Sequence, residues 1–183
     1  LTADSLSAPV DYSGLTLREN GAPITDLTFT QVPSGVDVTF VLDANVGFDE
    51  IDDDTGLTRR EKSLESIRRF AMQYMNPDGL DTVSIVVPDE NGQSGRFLIS
   101  EASTAEEIEE AISGYQIQTL GPTPLNAMVA LALEQAQQRK DKGRYQAILL
   151  MTDGRRLDQQ LSYPQLVAQA NDANVPIYSA ILG

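Results

Sequence analysis

A chain of 183 residues with 41% hydrophobic residues is long enough for one α/β domain with a full-sized core and a short extra segment. Its net charge of -14 argues against a nucleic-acid partner, which needs clustered Lys and Arg, and against anionic membrane surfaces. With no cysteine and no histidine, thiol nucleophiles, Ser-His-Asp triads, imidazole bases and the usual zinc sites are excluded, so any metal must be hard and oxygen-bound.

In chain order, residues 1–34 read as a β segment or hairpin. Leu15-Thr16-Leu17 and the stretch Ile24 to Phe29 alternate apolar and polar residues around turn residues Glu19 to Pro23. From Val36 the pattern changes to buried strands separated by helices. VDVTFVLD is the first strand, and RREKSLESIRRFAMQYM is an amphipathic helix with Leu64, Ile67, Phe70, Ala71, Tyr74 and Met75 on one face and Arg and Glu on the other. DTVSIVV, a turn at Pro88 to Gly92 and GRFLIS follow, close enough in sequence to pair as an antiparallel edge. Ser103 and Glu106 form a capping-box pattern before Ile108, Ala111 and Ile112. Thr123-Pro124 opens the helix LNAMVALALEQAQQRK. Tyr145 to Met151 is a nearly continuous apolar strand stopped by Thr152-Asp153-Gly154, and a helix LSYPQLVAQANDAN and a strand VPIYSAIL complete the pattern. The fold class expected is α/β: a Rossmann-like doubly wound, mostly parallel sheet with one antiparallel edge strand and helices on both faces, plus the N-terminal β-hairpin. The longest apolar runs, AMVALAL and AILLM, fall short of the ~20 residues that cross a bilayer, so no direct membrane insertion is expected. The start at Leu1, without Met or leader, is what a fragment or processed product would show.

In an open parallel sheet the ligand crevice lies beyond the carboxyl ends of the strands, where strand order reverses. Asp43 and Asp153 sit at such ends, and Thr123 sits at the start of a helix that follows a loop on the same edge. Each has a plainer reading. The two aspartates suit turns and caps, Thr123 before Pro124 suits an N-cap, and Asn45 suits a loop-stabilising bond to its own backbone. The acidic run Asp49 to Asp54 reads as a solvated loop, with an auxiliary calcium site or acidic rim as the alternative.

Over about residues 35–183 these motifs resemble the von Willebrand factor A (vWA) family, in a bacterial-type form. The family's metal-ion-dependent adhesion site takes a DxSxS loop after the first strand, a Thr from a GGTPL-like loop and an Asp from a TDG-like turn. Here Asp43 opens DANVG, Thr123 lies in GPTPL and Asp153 in LLMTDG, while Asn45 and Gly47 stand at the two serine positions. The resemblance implies a metal site at Asp43, Asn45, Thr123 and Asp153 that binds Mg²⁺, or Mn²⁺ or Ca²⁺, weakly or not at all. The Asn45 amide oxygen is a possible ligand, but Gly47 brings no side-chain oxygen. Serine restored at 45 and 47 is expected to strengthen cation binding.

The function implied is a protein–protein interaction or adhesion module, not an enzyme, in which the cation's open position takes an acidic side chain of a protein ligand. The alternative is a metal-independent vWA scaffold packed against other domains of a larger parent protein. An Mg²⁺-dependent phosphohydrolase with Asp43 as nucleophile lacks its second carboxylate, because Asn45 stands there. Similarity of residues 11–29 to β-rich stretches before bacterial vWA domains implies that residues 1–34 are the end of a preceding β module, and an extracytoplasmic location, secreted or at the cell surface. The family's further edge strand and C-terminal helix are expected to be missing after VPIYSAIL, leaving apolar surface near residues 175–182 exposed, paired or covered by the hairpin.

Overall fold

The computed structural model describes residues 14, 16–25, 34–76, 78–116, 121–140, 143–155 and 163–183. The chain divides into two units, Leu1–Pro33 and Ser34–Gly183.

In the first unit, β1 (Arg18–Glu19) and β2 (Ala22–Pro23) pair antiparallel around Asn20 and Gly21. Both turn residues have positive φ, 51° and 85°, the left-handed pair that a two-residue hairpin turn requires and that Asn-Gly supplies at low cost. The hairpin therefore closes inside the stretch read from the sequence as the turn between longer strands. Leu15 and residues 26–33, which carried the expected alternation, lie outside the described residues.

The second unit contains β3 (Val36–Leu42), α1 (Arg59–Tyr74), β4 (Thr82–Pro88), β5 (Gly95–Ala102), α2 (Ala105–Ser113), α3 (Leu125–Arg139), β6 (Tyr145–Thr152), α4 (Tyr163–Ala173) and β7 (Ile177–Ile181). The five strands order as β5-β4-β3-β6-β7, with β4 and β5 antiparallel and the other pairs parallel. This is the α/β architecture the alternation of strand and helix patterns implies. Side chains alternate across β3, so Phe40 and Leu42 pack with Leu64, Ile67, Ile108 and Ile112 of α1 and α2. Val41 points the other way, into a cluster with Met128 and Leu133 of α3 and Leu166 of α4. The sheet is thus covered on both faces, and its strand order reverses at β3.

Local details depart from the sequence reading. Thr104, not Ser103, caps α2, because its extended backbone places its hydroxyl on the N–H of Glu107, which returns the bond. Tyr74 leaves the apolar face of α1 and is 64% exposed, whereas Leu64, Ile67 and Ala71 are buried. The strand β7 is the sheet edge, with Tyr178 and Ile181 exposed; among the described residues no strand pairs with its outer side.

Candidate functional site

The parallel pairing of β3 with β6, Leu42 opposite Met151, brings Asp43 and Asp153 out on the same edge at the point where strand order reverses. The bond from Asp43 N–H to the Met151 carbonyl, 3.0 Å, continues the ladder one step into the loop. On this edge Thr123 joins from the loop before α3. That helix starts at an N-cap Pro124 with no side-chain capping bond, so the Thr123 hydroxyl is not spent on the helix. It donates to Asp43 Oδ1 at 2.6 Å and accepts the Ala44 N–H at 3.1 Å.

Asp43 is 2% exposed and its carboxylate is fully engaged. Oδ1 accepts the Asn45 N–H as well as the Thr123 hydroxyl, and Oδ2 accepts the Asn45 amide at 2.9 Å and the Thr152 hydroxyl at 2.6 Å. Asn45 Nδ2 also donates to Asp153 Oδ1 at 2.9 Å, so a single NH₂ group bridges the two carboxylates. Its Oδ1 turns away and accepts the Gly47 N–H at 2.7 Å, capping the short 3₁₀ turn Val46–Asp49. All four residues expected from the sequence therefore come together, and Asn45 has the loop-stabilising bond of its plainer reading besides.

Asp153 Oδ2 accepts no hydrogen bond among the described residues, although the side chain is only 1% exposed. It faces two guanidinium groups: Arg59 Nη1 at 3.6 Å and Arg155 Nε at 3.9 Å. Arg59, the first residue of α1, is itself buried, its side chain 6% exposed. It donates from Nη1 to the Gly47 carbonyl and Glu50 and from Nε to Asp52. Asp52 is the main reason that the Arg59 guanidinium holds its proton even more firmly than usual. Lys62 closes the other side through Asp52 and Asp53. The lysine, followed by Arg59, holds Asp52 below the ordinary carboxylate range, and the Thr55 hydroxyl with Lys62 brings Asp53 down to about 2. Asp49 pairs with Arg60. The acidic run is exposed along its length, and four of its carboxylates, those of Asp49, Glu50, Asp52 and Asp53, pair with Arg59, Arg60 and Lys62 at the start of α1.

Two residues of this cluster escaped the sequence reading. By its sequence position Thr152 only helps to end a strand, and Arg59 belongs to an exposed helix face. The available signal for Arg59 was the basic start of the helix, Arg59-Arg60-Glu61-Lys62, directly after an acidic run.

As arranged, this donor set does not fit a small hard cation. Such an ion needs about six oxygens converging at ~2.0–2.1 Å. Here the oxygens of Asp43 and Asp153 converge instead on the Asn45 NH₂, which has donors and no lone pair. The Thr123 hydroxyl oxygen has one of its two lone pairs taken by the Ala44 N–H. Nor is Gly47 a vacant ligand corner, since a Cβ built there would lie 2.0 Å from Asp153 Oδ2 and 2.9 Å from Asn45 Oδ1.

Comparison with solved structures finds the same architecture elsewhere. The conserved hypothetical protein BatB from Bacteroides thetaiotaomicron superposes with a TM-score of 0.58 at 21% identity, over 81% of this chain and 66% of that one. Proximal thread matrix protein 1 from the mussel byssus, in a structure with a zinc-occupied MIDAS motif, superposes with a TM-score of 0.60 at 16% identity, over 80% of this chain and 35% of that one. What is shared is the fold. The chain spans 66% and 35% of the lengths of these neighbours. No protein-family model matches the sequence, and a comparison with curated proteins finds no match either. Among the described residues, no helix is long and apolar enough to cross a membrane.

Proposed function

We propose that this domain is a protein-interaction module of von Willebrand factor A type that engages a protein partner through the edge built by residues 43–57, 121–124 and 153–155. The observation that carries the reading is the convergence of Asp43, Asn45, Thr123 and Asp153, from three separate loops, into one hydrogen-bonded cluster at the strand-order reversal. Around it Val46, Ile51 and Leu57 are 49%, 58% and 40% exposed, aliphatic surface that a partner would cover. An acidic partner residue would meet Arg155, whose side chain is 56% exposed and shared with Glu50. An extracytoplasmic location belongs to the same proposal and rests on the resemblance alone.

A competing reading keeps a weak Mg²⁺, Mn²⁺ or Ca²⁺ site at Asp43, Asn45, Thr123 and Asp153. The Oδ2 of Asp153, which accepts no hydrogen bond among the described residues, favours it.

The test of the interaction reading is a photo-crosslinking side chain placed at Val46, with a second at Tyr145, which is exposed at the opposite end of the sheet. In cells that express the chain, Val46 should give a discrete adduct with another protein that excess unlabelled domain suppresses, and Tyr145 should not. No adduct from Val46, or the same adducts from both positions, would overturn the proposal.

A further inference from the structure

We infer that the position a divalent cation takes in a metal-dependent site of this type is filled here by the chain's own groups, the Asn45 amide and the Arg59 guanidinium. The three loops then stand assembled in the absence of any divalent ion. The inference deepens the interaction reading and rests on it only for its consequence, that the edge meets its partner without needing a metal.

The electrostatic problem of such an edge is two buried carboxylates, Asp43 and Asp153, 2% exposed as a residue and 1% exposed as a side chain respectively. Buried negative charges need paired positive charge or several donors. Asp43 is answered by four donors, two of them from Asn45. Asp153 Oδ1 is answered by the Asn45 amide and the Arg155 N–H. Of these four oxygens, Asp153 Oδ2 alone accepts no hydrogen bond among the described residues, and it faces the Arg59 Nη1 at 3.6 Å.

Arg59 also donates to the carbonyl of Gly47, at the sequence position where the resembled motif would carry its second serine. A Cβ there would have to push the Asp153 carboxylate aside, because Oδ2 takes its space. The two departures from the motif are thus explained together: Asn45 presents an NH₂ to both carboxylates where the motif presents a hydroxyl, and Gly47 leaves room for the carboxylate that faces Arg59. A guanidinium is suited to the role because it stays charged when buried and its fixed fork serves several acceptors at once, here Gly47 O, Glu50 and Asp52.

The experiment measures thermal unfolding of the wild type, Arg59→Met and Asn45→Asp, each in chelator and in millimolar Mg²⁺, Mn²⁺ or Ca²⁺ at matched ionic strength, with calorimetric titration of the same ions. The wild type should melt at one temperature in all conditions and give no binding heat. Arg59→Met should melt lower in chelator and recover several degrees with a divalent ion, by mass action on a site that has lost its internal charge. Asn45→Asp keeps the size of the side chain but turns the bridging donor into a third carboxylate, and should bind one ion per chain. If Arg59→Met fails to fold in chelator, Asn45→Asp decides alone.

Stabilisation of the wild type by a divalent ion overturns the inference. So does an Arg59→Met chain that melts like the wild type, and so does absence of an ion response in the folded variants. Crosslinking from Val46 in chelator is read separately: an adduct formed only with a divalent ion sinks this inference while leaving the interaction reading standing, and no adduct in any condition sinks that reading alone.

Discussion

Arg59 Nη1 stands 3.6 Å from Asp153 Oδ2, the one oxygen of the two central carboxylates that receives no hydrogen bond among the described residues. Both side chains are nearly inaccessible, 6% and 1% exposed, whereas the second guanidinium facing Asp153, that of Arg155, is 56% exposed. The two arginines should therefore differ sharply in worth. Arg59→Ala should lower unfolding free energy by about 3 kcal/mol, since it strands a buried charge. Arg155→Ala should cost under about 1 kcal/mol, as exposed pairs do. Urea denaturation of the two variants side by side checks this, and equal losses would show that Arg59 is not the buried partner of Asp153.

Thr123 serves the cluster and not its helix. Thr123→Val keeps the shape of the side chain but removes the donor to Asp43 and the acceptor for the Ala44 N–H, both buried. The expected loss is about 2 kcal/mol, the cost of leaving buried polar groups unpaired. Thr123→Ser, which keeps the hydroxyl, should recover most of it. A hydroxyl that only capped the helix would leave the Asp43 environment untouched, so the backbone amide NMR shifts of Ala44 and Asn45 discriminate.

Gly47→Ser should destabilise the domain by about 2 kcal/mol, as forced overpacking does. A Cβ at that position lies 2.0 Å from a carboxylate oxygen of Asp153 and has no room without moving it. Pairing the change with Asn45→Ser removes the bridging amide too, so the double variant should be less stable than either single one. The sequence resemblance led to the opposite expectation, that two serines would restore a cation site. Thermal unfolding of the three variants in chelator checks the order.

Acid should loosen the strap at the start of α1 before it unfolds the core. Asp53 is held at about 2, chiefly by Thr55 and Lys62, and Asp52 is held low by Lys62 and then Arg59. Folded-state values below the unfolded one mean that this contribution is fully present above about pH 4 and fades as pH falls toward 2. Side-chain carboxyl NMR of Asp53 should show a midpoint near 2, moving upward in Lys62→Met. Amide exchange over residues 50–58 should quicken across the same range while β3 stays protected. A midpoint at the ordinary aspartate value would mean that the strap is not formed in solution.

At the opposite end of the central strand β3, Asp37, 6% exposed, is held by Arg139 and Arg144 and by the Thr82 hydroxyl. Arg139→Met should cost about 3 kcal/mol there without affecting any response at the loop edge, because it breaks a buried pair. Denaturant unfolding of that variant provides the control for the Arg59 measurements.

The sequence by itself determined the layered α/β order, because the apolar periods of 2 and 3.6 differ from segment to segment, and strand–helix alternation leaves few topologies open. Asp43, Thr123 and Asp153 were legible as one group, since strand ends in a parallel sheet share an edge. The extent of the N-terminal hairpin was less legible, because Asn20-Gly21 could close it several residues earlier than the alternating stretches suggested. What those residues do to one another was decided by the tertiary structure. Whether Asn45 presents its oxygen or its NH₂ to the carboxylates depends on the Gly47 N–H that claims the oxygen, and this holds only once the 3₁₀ turn is formed. Arg59 is a surface residue by helical periodicity. It becomes the charge partner of the site only because the chain between Asp49 and Thr58 folds back and buries it against Gly47, Glu50, Asp52 and Asp153. A hydrophobic pattern reports which side of an element avoids water, and is silent on which charge will be enclosed when three loops meet.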